Sequence, residues 1–327
     1  VFATDDFELY RIKREAFLRV LAAHLISTSF LFIGISFTDP NLSHLLAGIR
    51  EMYMRYAPEA PGGKPHYAII TRPQEGDFRG KDNADAKFKT AGIRHALFLD
   101  DLKRYNIHCV EVDEHAEIES ILGEVEQRIA RGSVFVSGAV PDGALDAAEV
   151  ARIRAVGVEV GRAIAASGKR LVSGYGLGLG DHVLSGMLSA AWVANTSRLD
   201  RRLTIRPFPQ QLPTGTDVEA FKARYREDMI APTGACIVVC GIRAKEGGGF
   251  EPAVGVRNEV EIARRLGRLV VPIGVTNGVA AELWQEMNSK IDSLDSRIPR
   301  NAFATLGDPH ADLSAVSAAI ATILGAV

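Results

Sequence analysis

Four glycines stand at every second position in Ser173-Gly174-Tyr175-Gly176-Leu177-Gly178-Leu179-Gly180. The run lies between a short strand-like stretch ending at Ser173 and residues 181–194, which have helical spacing. Without Cβ atoms at 174, 176, 178 and 180, backbone N–H groups and the helix N-terminus can approach a phosphate or pyrophosphate. The alternative is a tight turn that serves only helix packing, and the strand–turn–helix context favours the phosphate reading.

The glycine turn falls inside a larger repeat of strands and helices. From Gly132 onward five strand-like runs, 133–137, 170–173, 203–207, 235–240 and 268–273, are each followed by a helical stretch, which is a complete doubly wound unit by count. Before it, residues 14–29 read as a helix, 29–35 as a strand, 34–40 as a turn and 42–56 as a helix. A Pro/Gly-rich loop (57–65) leads to a strand over 66–70, a polar stretch to about 92, a helix over 95–105, a strand over 108–112 and a helix to 131. The fold class expected is therefore α/β, with two Rossmann-like parallel-sheet domains. Residues 1–131 read as the last portion of one, and 132–327 as the whole of the other. The chain opens at Val1 inside a strand-like run (1–4), which reads as a cut.

Composition narrows the chemistry. At 327 residues, 47% apolar and 24% charged, the chain can bury two cores. A net charge of −2 gives no overall attraction to nucleic acid or anionic membrane, so any phosphate site must be built locally. No basic run interleaves with aromatics, as a single-strand DNA groove would require. No apolar run reaches the roughly 20 residues of a membrane span, and no signal peptide is visible. The cytoplasm is the expected compartment. Cys109, Cys236 and Cys240 sit in apolar runs and read as buried thiols, and they do not combine with the eight histidines at metal-ligand spacing. No metal site is expected.

The other candidate residues cluster where strands end. The first strand closes with Ser137-Gly138, a second small-residue turn. The third delivers Arg206-Pro207-Phe208, and the fourth leads to Arg243-Ala244-Lys245 and a glycine loop (247–249). Between them Tyr225-Arg226-Glu227-Asp228-Met229 lies near a helix end. Each cation alone is an ordinary surface residue, but Arg206 and Lys245 share the sheet edge with the glycine loop. Cations beside backbone donors suit a multiply phosphorylated nucleotide. Glu259 lies in Gly255-Val256-Arg257-Asn258-Glu259, which opens a helix. Its carboxylate there answers either the helix dipole or a ribose hydroxyl pair.

These pieces over 133–327 resemble the SLOG superfamily, which includes LOG-type nucleoside phosphoribohydrolases. In those enzymes an arginine precedes a Pro-Gly-Gly-x-Gly-Thr-x-x-Glu stretch. Arg226 and Glu259 look like that arginine and glutamate, but residues 240–256 carry no Pro-Gly-Gly, which favours binding over hydrolysis. Phe30-Leu31-Phe32-Ile33-Gly34-Ile35-Ser36-Phe37-Thr38-Asp39-Pro40-Asn41-Leu42 resembles the end of a bacterial sirtuin-like domain. In that family the Gly-x-Ser turn lies against NAD, so Gly34 and Ser36 are the positions carried over. The family's catalytic asparagine and histidine lie upstream, so no catalytic residue is assigned here, and His24 and His44 read as structural.

A sirtuin-like domain followed by SLOG is the order found in the Thoeris anti-phage effectors. The resemblance implies a homo-oligomer whose SLOG domain binds a cyclic ADP-ribose isomer, with Arg226, Lys245 and Glu259 on the ligand. A TIR-domain protein makes that signal, and the sirtuin-like domain then hydrolyses NAD, its substrate. No covalently bound cofactor is implied. The competing reading is a LOG-like phosphoribohydrolase acting on nucleoside 5′-monophosphates.

Overall fold

The computed structural model describes residues 15–56, 63–195, 199–209 and 211–326; the strand expected over 1–4 lies outside them. By its internal contacts the chain divides into two compact units, Val1–Gly123 and Glu124–Val327. The division falls inside the helix Ala116–Arg131, whereas the sequence pattern placed it at that helix's end. Each unit has its own parallel sheet.

In the first unit the order is α1 (Glu15–Ser27), β1 (Leu31–Ile33), α2 (Pro40–Tyr56), β2 (His66–Thr71), α3 (Ala84–Lys103), β3 (Ile107–Val112) and α4 (Ala116–Arg131), the helix in which the division falls. The sheet runs β1-β2-β3, parallel throughout. Helix α3 begins well before the expected 95, because few of its side chains are buried and hydrophobic spacing does not mark its first turns. Pro40 occupies the first helical position of α2, and the Asp39 carboxylate accepts the N–H groups of Asn41 (2.8 Å) and Leu42 (3.3 Å). Leu25, Phe32, Phe37, Leu46, Ala68, Leu102 and Ile107 form the core.

His66 is buried beside that core, its ring near Phe30 and Phe32. Its Nδ1 accepts the Phe30 N–H at 3.1 Å, so the neutral ring carries its proton on Nε2. Burial lowers its pKa from 6.5.

The second unit runs β4 (Ser133–Ala139), α5 (Ala147–Ala166), β5 (Arg170–Ser173), α6 (Gly180–Val193), β6 (Leu203–Ile205), α7 (Val218–Ile230) and β7 (Ala235–Cys240). An antiparallel hairpin, β8 (Ile242–Ala244) with β9 (Phe250–Pro252), follows, a feature the sequence pattern did not reveal. Then come α8 (Val254–Arg265), β10 (Leu269–Ile273), α9 (Gly278–Ser289), α10 (Arg300–Thr305) and α11 (Leu313–Ala326). The sheet order is β10-β7-β4-β5-β6, all parallel.

Strand alternation sorts the side chains into two cores. Val134, Val136, Ile237, Val239, Leu269 and Val271 face one, with α5, α6 and α11. Phe135, Cys236, Val238 and Val270 face the other, with α7, α8 and α9. Every residue of β7 and β10 is buried, as a parallel sheet covered on both faces requires. Cys236 and Cys240 are buried free thiols and Cys109 is half-buried. Burial pushes the Cys240 thiol up to about 12.

Helices α5 and α6 touch backbone to backbone. A Cβ on Gly161 would overlap the Val183 carbonyl oxygen and stand 2.7 Å from the Met187 nitrogen. A Cβ on Gly186 would overlap the Val158 carbonyl oxygen.

Two expectations follow for stability. Because the folded pKa of His66 lies below the 6.5 of the exposed ring, the unfolded chain binds the extra proton first. The first unit should keep its full stability above pH 6.5 and lose it as the pH falls through the lowered folded value. A His66→Gln variant, titrated by thermal unfolding on both sides of that pH, should lack this component. In the second unit Gly161→Ala gains about 1 kcal/mol of helix propensity but incurs an overpacking cost of about 1–3 kcal/mol. The obstacle is backbone, so the cost wins and the unfolding midpoint should fall. Gly48→Ala, in α2 with open space around it, should raise the midpoint of the first unit instead.

Candidate functional site

The strand order reverses at β4. From it the chain steps outward to β5 and β6 on one side, and to β7 and β10 on the other, which opens a crevice at the carboxyl ends of the strands. Ser137 and Gly138 of β4 and Gly174 and Gly176 of the loop after β5 line a cleft there of about 260 Å³. Phe208, Arg226 of α7, Arg243 of β8, and Gly255 and Glu259 of α8 complete the wall.

A charged centre sits at the cleft. The Ser137 hydroxyl donates to Glu259 Oε2 at 2.5 Å, and Glu259 Oε1 lies 3.6 Å from Arg226 Nε. Both charged side chains are 11% exposed. At that distance the pair is ionic rather than hydrogen-bonded, and Arg226 Nε has no hydrogen-bond partner among the described residues. The guanidinium rests over the Phe208 ring, 5.0 Å from its centroid. A Cβ at Gly255 would come within 3.1 Å of an Arg226 nitrogen, so the glycine leaves room for the guanidinium. Burial raises the Glu259 pKa from 4.5, and the Ser137 hydroxyl and Arg226 oppose that rise.

The structure sorts the residues predicted from sequence. Ser137, Gly138, Gly174, Gly176, Phe208, Arg226 and Glu259 come together. Gly178 and Gly180 do not line the cleft: Gly178 turns with φ +68° against the Val140 carbonyl, and Gly180 packs on Tyr175 as α6 begins. Gly176 lines the cleft but is also required by its neighbour, since a Cβ there would overlap the Gly138 carbonyl oxygen.

Arg206 lies outside the lining, over the Tyr225 ring at 4.8 Å and with Nη1 donating to the Asp228 carbonyl at 3.5 Å. Lys245 also lies outside it, in the hairpin turn, where its N–H donates to Gly249 O at 2.9 Å and its carbonyl accepts from Gly248 at 3.1 Å. Strand β8 ends at Ala244, and so Arg243, two residues earlier, reaches the cleft instead, paired with Glu251 at 2.5 Å. Nothing in the local sequence separates Arg243 from its neighbours, because the hairpin that aims it pairs two three-residue strands.

Glu259 lies in the second turn of α8, with no acidic residue in the first, so the helix-dipole reading of its carboxylate falls. In the first unit Gly34 (φ +65°) and Ser36 lie in the turn after β1, with Ser36 Oγ 2.6 Å from Thr38 Oγ1. No cluster of side chains suited to a metal ion occurs among the described residues. No helix among them is long and apolar enough to cross a membrane.

Residues 117–327 match the model of the "Sir2- and TIR-associating SLOG family". The chain belongs to that family. Residues 1–96 match the model of a SIR2-like domain. Among relatives, the NAD(+) hydrolase ThsA of Bacillus cereus (strain MSX-D12) is 32% identical over 293 residues, covering 90% of this chain and 58% of that protein. The NAD(+) hydrolase ThsA of Cytobacillus dafuensis is 30% identical over 312 residues, 94% of this chain and 62% of that protein. That of Enterococcus faecium is 31% identical over 305 residues, 91% and 61%. The chain thus spans about three fifths of the length of these relatives.

The SLOG cleft has a measurable electrostatic signature. Since the folded pKa of Glu259 is raised above 4.5, its contribution to stability is full below that value and is lost as the pH rises through the folded pKa. In Glu259→Gln this loss should disappear from the pH dependence of the second unit's unfolding midpoint. An unchanged pH profile would mean that the carboxyl is not desolvated.

Proposed function

We propose that this chain is the sensing part of an anti-phage effector. In this reading the SLOG cleft binds a cyclic ADP-ribose isomer, and binding switches on NAD hydrolysis by the sirtuin-like part of the parent protein. The observation that carries the proposal is the pairing of glycine turns with Arg226 and Arg243 around a buried carboxyl. Backbone N–H groups and guanidinium nitrogens suit a pyrophosphate, and Glu259 suits a ribose hydroxyl pair.

The relatives, which are NAD(+) hydrolases, suggest the output of the switch. The SIR2-like match over 1–96 supplies the domain that would carry it, with Gly34 and Ser36 beside the NAD. A TIR-domain protein would produce the signal, consistent with the family's description. The working unit would be a cytoplasmic homo-oligomer.

The Arg226–Glu259 pair also favours a second reading, a LOG-like phosphoribohydrolase that uses the carboxyl at the ribose of a nucleoside monophosphate. Incubation with nucleoside 5′-monophosphates separates the two, since catalytic release of free base supports the hydrolase alone.

Calorimetry with cyclic ADP-ribose isomers, ADP-ribose and NAD side by side tests the sensor. A cyclic isomer should bind most tightly. A lost charge-assisted hydrogen bond is worth about 1.5–3 kcal/mol, so Arg243→Ala should weaken that ligand about 10- to 150-fold. Arg226→Ala should do at least as much, whereas Lys245→Ala should leave affinity nearly unchanged. In the full-length protein, signal-dependent NAD loss should follow binding across these variants. NAD loss that persists in a variant unable to bind would overturn the sensor assignment.

A further inference from the structure

A second cationic cavity opens at the opposite edge of the same sheet. It lies where β10 begins, beside Arg268 and Leu269, and is closed by the segment between α9 and α10. Its volume is about 370 Å³. Four cations line it, Arg264, Arg268, Lys290 and Arg297, against two carboxylates, Glu286 and Asp295.

Both carboxylates are already engaged. Asp295 grips Arg297 through two contacts of 3.0 and 2.7 Å. Glu286 lies 3.5 Å from Arg264 and 4.0 Å from Lys290. Positive charge is therefore left over within the cavity.

Arg268 is the most buried of the four cations. Its side chain is 9% exposed, and it is held by donation from Nη2 to the Ala231 carbonyl at 2.6 Å, with Glu126 at 3.6 Å. Its Nε has no hydrogen-bond partner among the described residues. A buried guanidinium whose N–H groups are not all satisfied is costly, and an oxyanion lying against it offsets its charge together with that of its neighbours. Leu269, Met287 and Leu294 give the cavity an apolar wall beside Ser293.

We infer that this cavity is an anion site for a phosphate monoester with an apolar or aromatic body, separate from the nucleotide cleft. The phosphate would lie against Arg268 and Lys290 and the body against Met287 and Leu294. Because the two sites occupy opposite ends of the strands, the inference does not depend on what the cleft binds.

The test is calorimetry on this chain in phosphate-free chloride buffer, with inorganic phosphate and phenyl phosphate as probes. Both should bind saturably, phenyl phosphate the more tightly. Lys290→Ala, an exposed side chain whose loss should not disturb folding, should weaken both about tenfold. Arg268→Lys keeps the charge but loses the planar guanidinium fork, and should weaken them similarly. Arg226→Ala, in the cleft, should leave both affinities unchanged. The proposal is overturned if neither probe binds saturably, if Lys290→Ala binds both as the parent chain does, if phenyl phosphate gains nothing over phosphate, or if Arg226→Ala abolishes binding.

Discussion

The parallel pairing of β4 with β7, with helices on both faces, governs the second unit. Val134, Val136, Ile237 and Val239 are buried on one side, and Phe135, Cys236 and Val238 on the other. No unpaired charge is tolerable inside such a sheet, because taking an ion out of water costs several kcal/mol unless a partner offsets it. Function is thereby displaced to the strand ends. At the carboxyl end Glu259 is retained only because the Ser137 hydroxyl and the Arg226 guanidinium stand beside it. At the amino end of β10, Arg268 is retained through the Ala231 carbonyl.

The glycines show how one composition serves two physical needs. Gly161 and Gly186 let α5 and α6 meet backbone to backbone, and Gly176 lets the turn after β5 lie on the end of β4. The second contact fixes the geometry of the cleft. Turns locked against one another hold their N–H groups in place before anything binds, so little ordering remains to be done on association. Cys240 and Gly241, both in the left-handed region, then send the chain out of β7 into the hairpin that carries Arg243.

The match to the Sir2- and TIR-associating SLOG family, over residues 117–327, takes in every residue that lines this cleft. Where LOG-type enzymes carry a Pro-Gly-Gly stretch, this chain has an antiparallel hairpin, and its Arg243–Glu251 pair brings a cation to the cleft instead of a bare backbone turn. An anion placed there would compete with Glu251 for the guanidinium, and the displaced carboxylate, which is partly exposed, would be left to water.

Local signals in the sequence determined the α/β class, the restart of the strand pattern near residue 132, and the glycine turn between β5 and α6. Each rests on a periodicity or a residue type that acts within a few positions of itself. The same locality explains why Ser137, Gly138, Phe208, Arg226 and Glu259 could be named, since each lies at or near the end of a legible element. Only the tertiary structure decided the rest. It joined Ser137 to Glu259 across 122 positions, chose Arg243 over Lys245 through a hairpin of two three-residue strands, and put Glu259 against Arg226 instead of at a helix start. It also drew Arg268 and Lys290 to one cavity. A side chain's position in sequence gives its distance from a strand end, but its direction and its partners follow from how helices pack across the sheet.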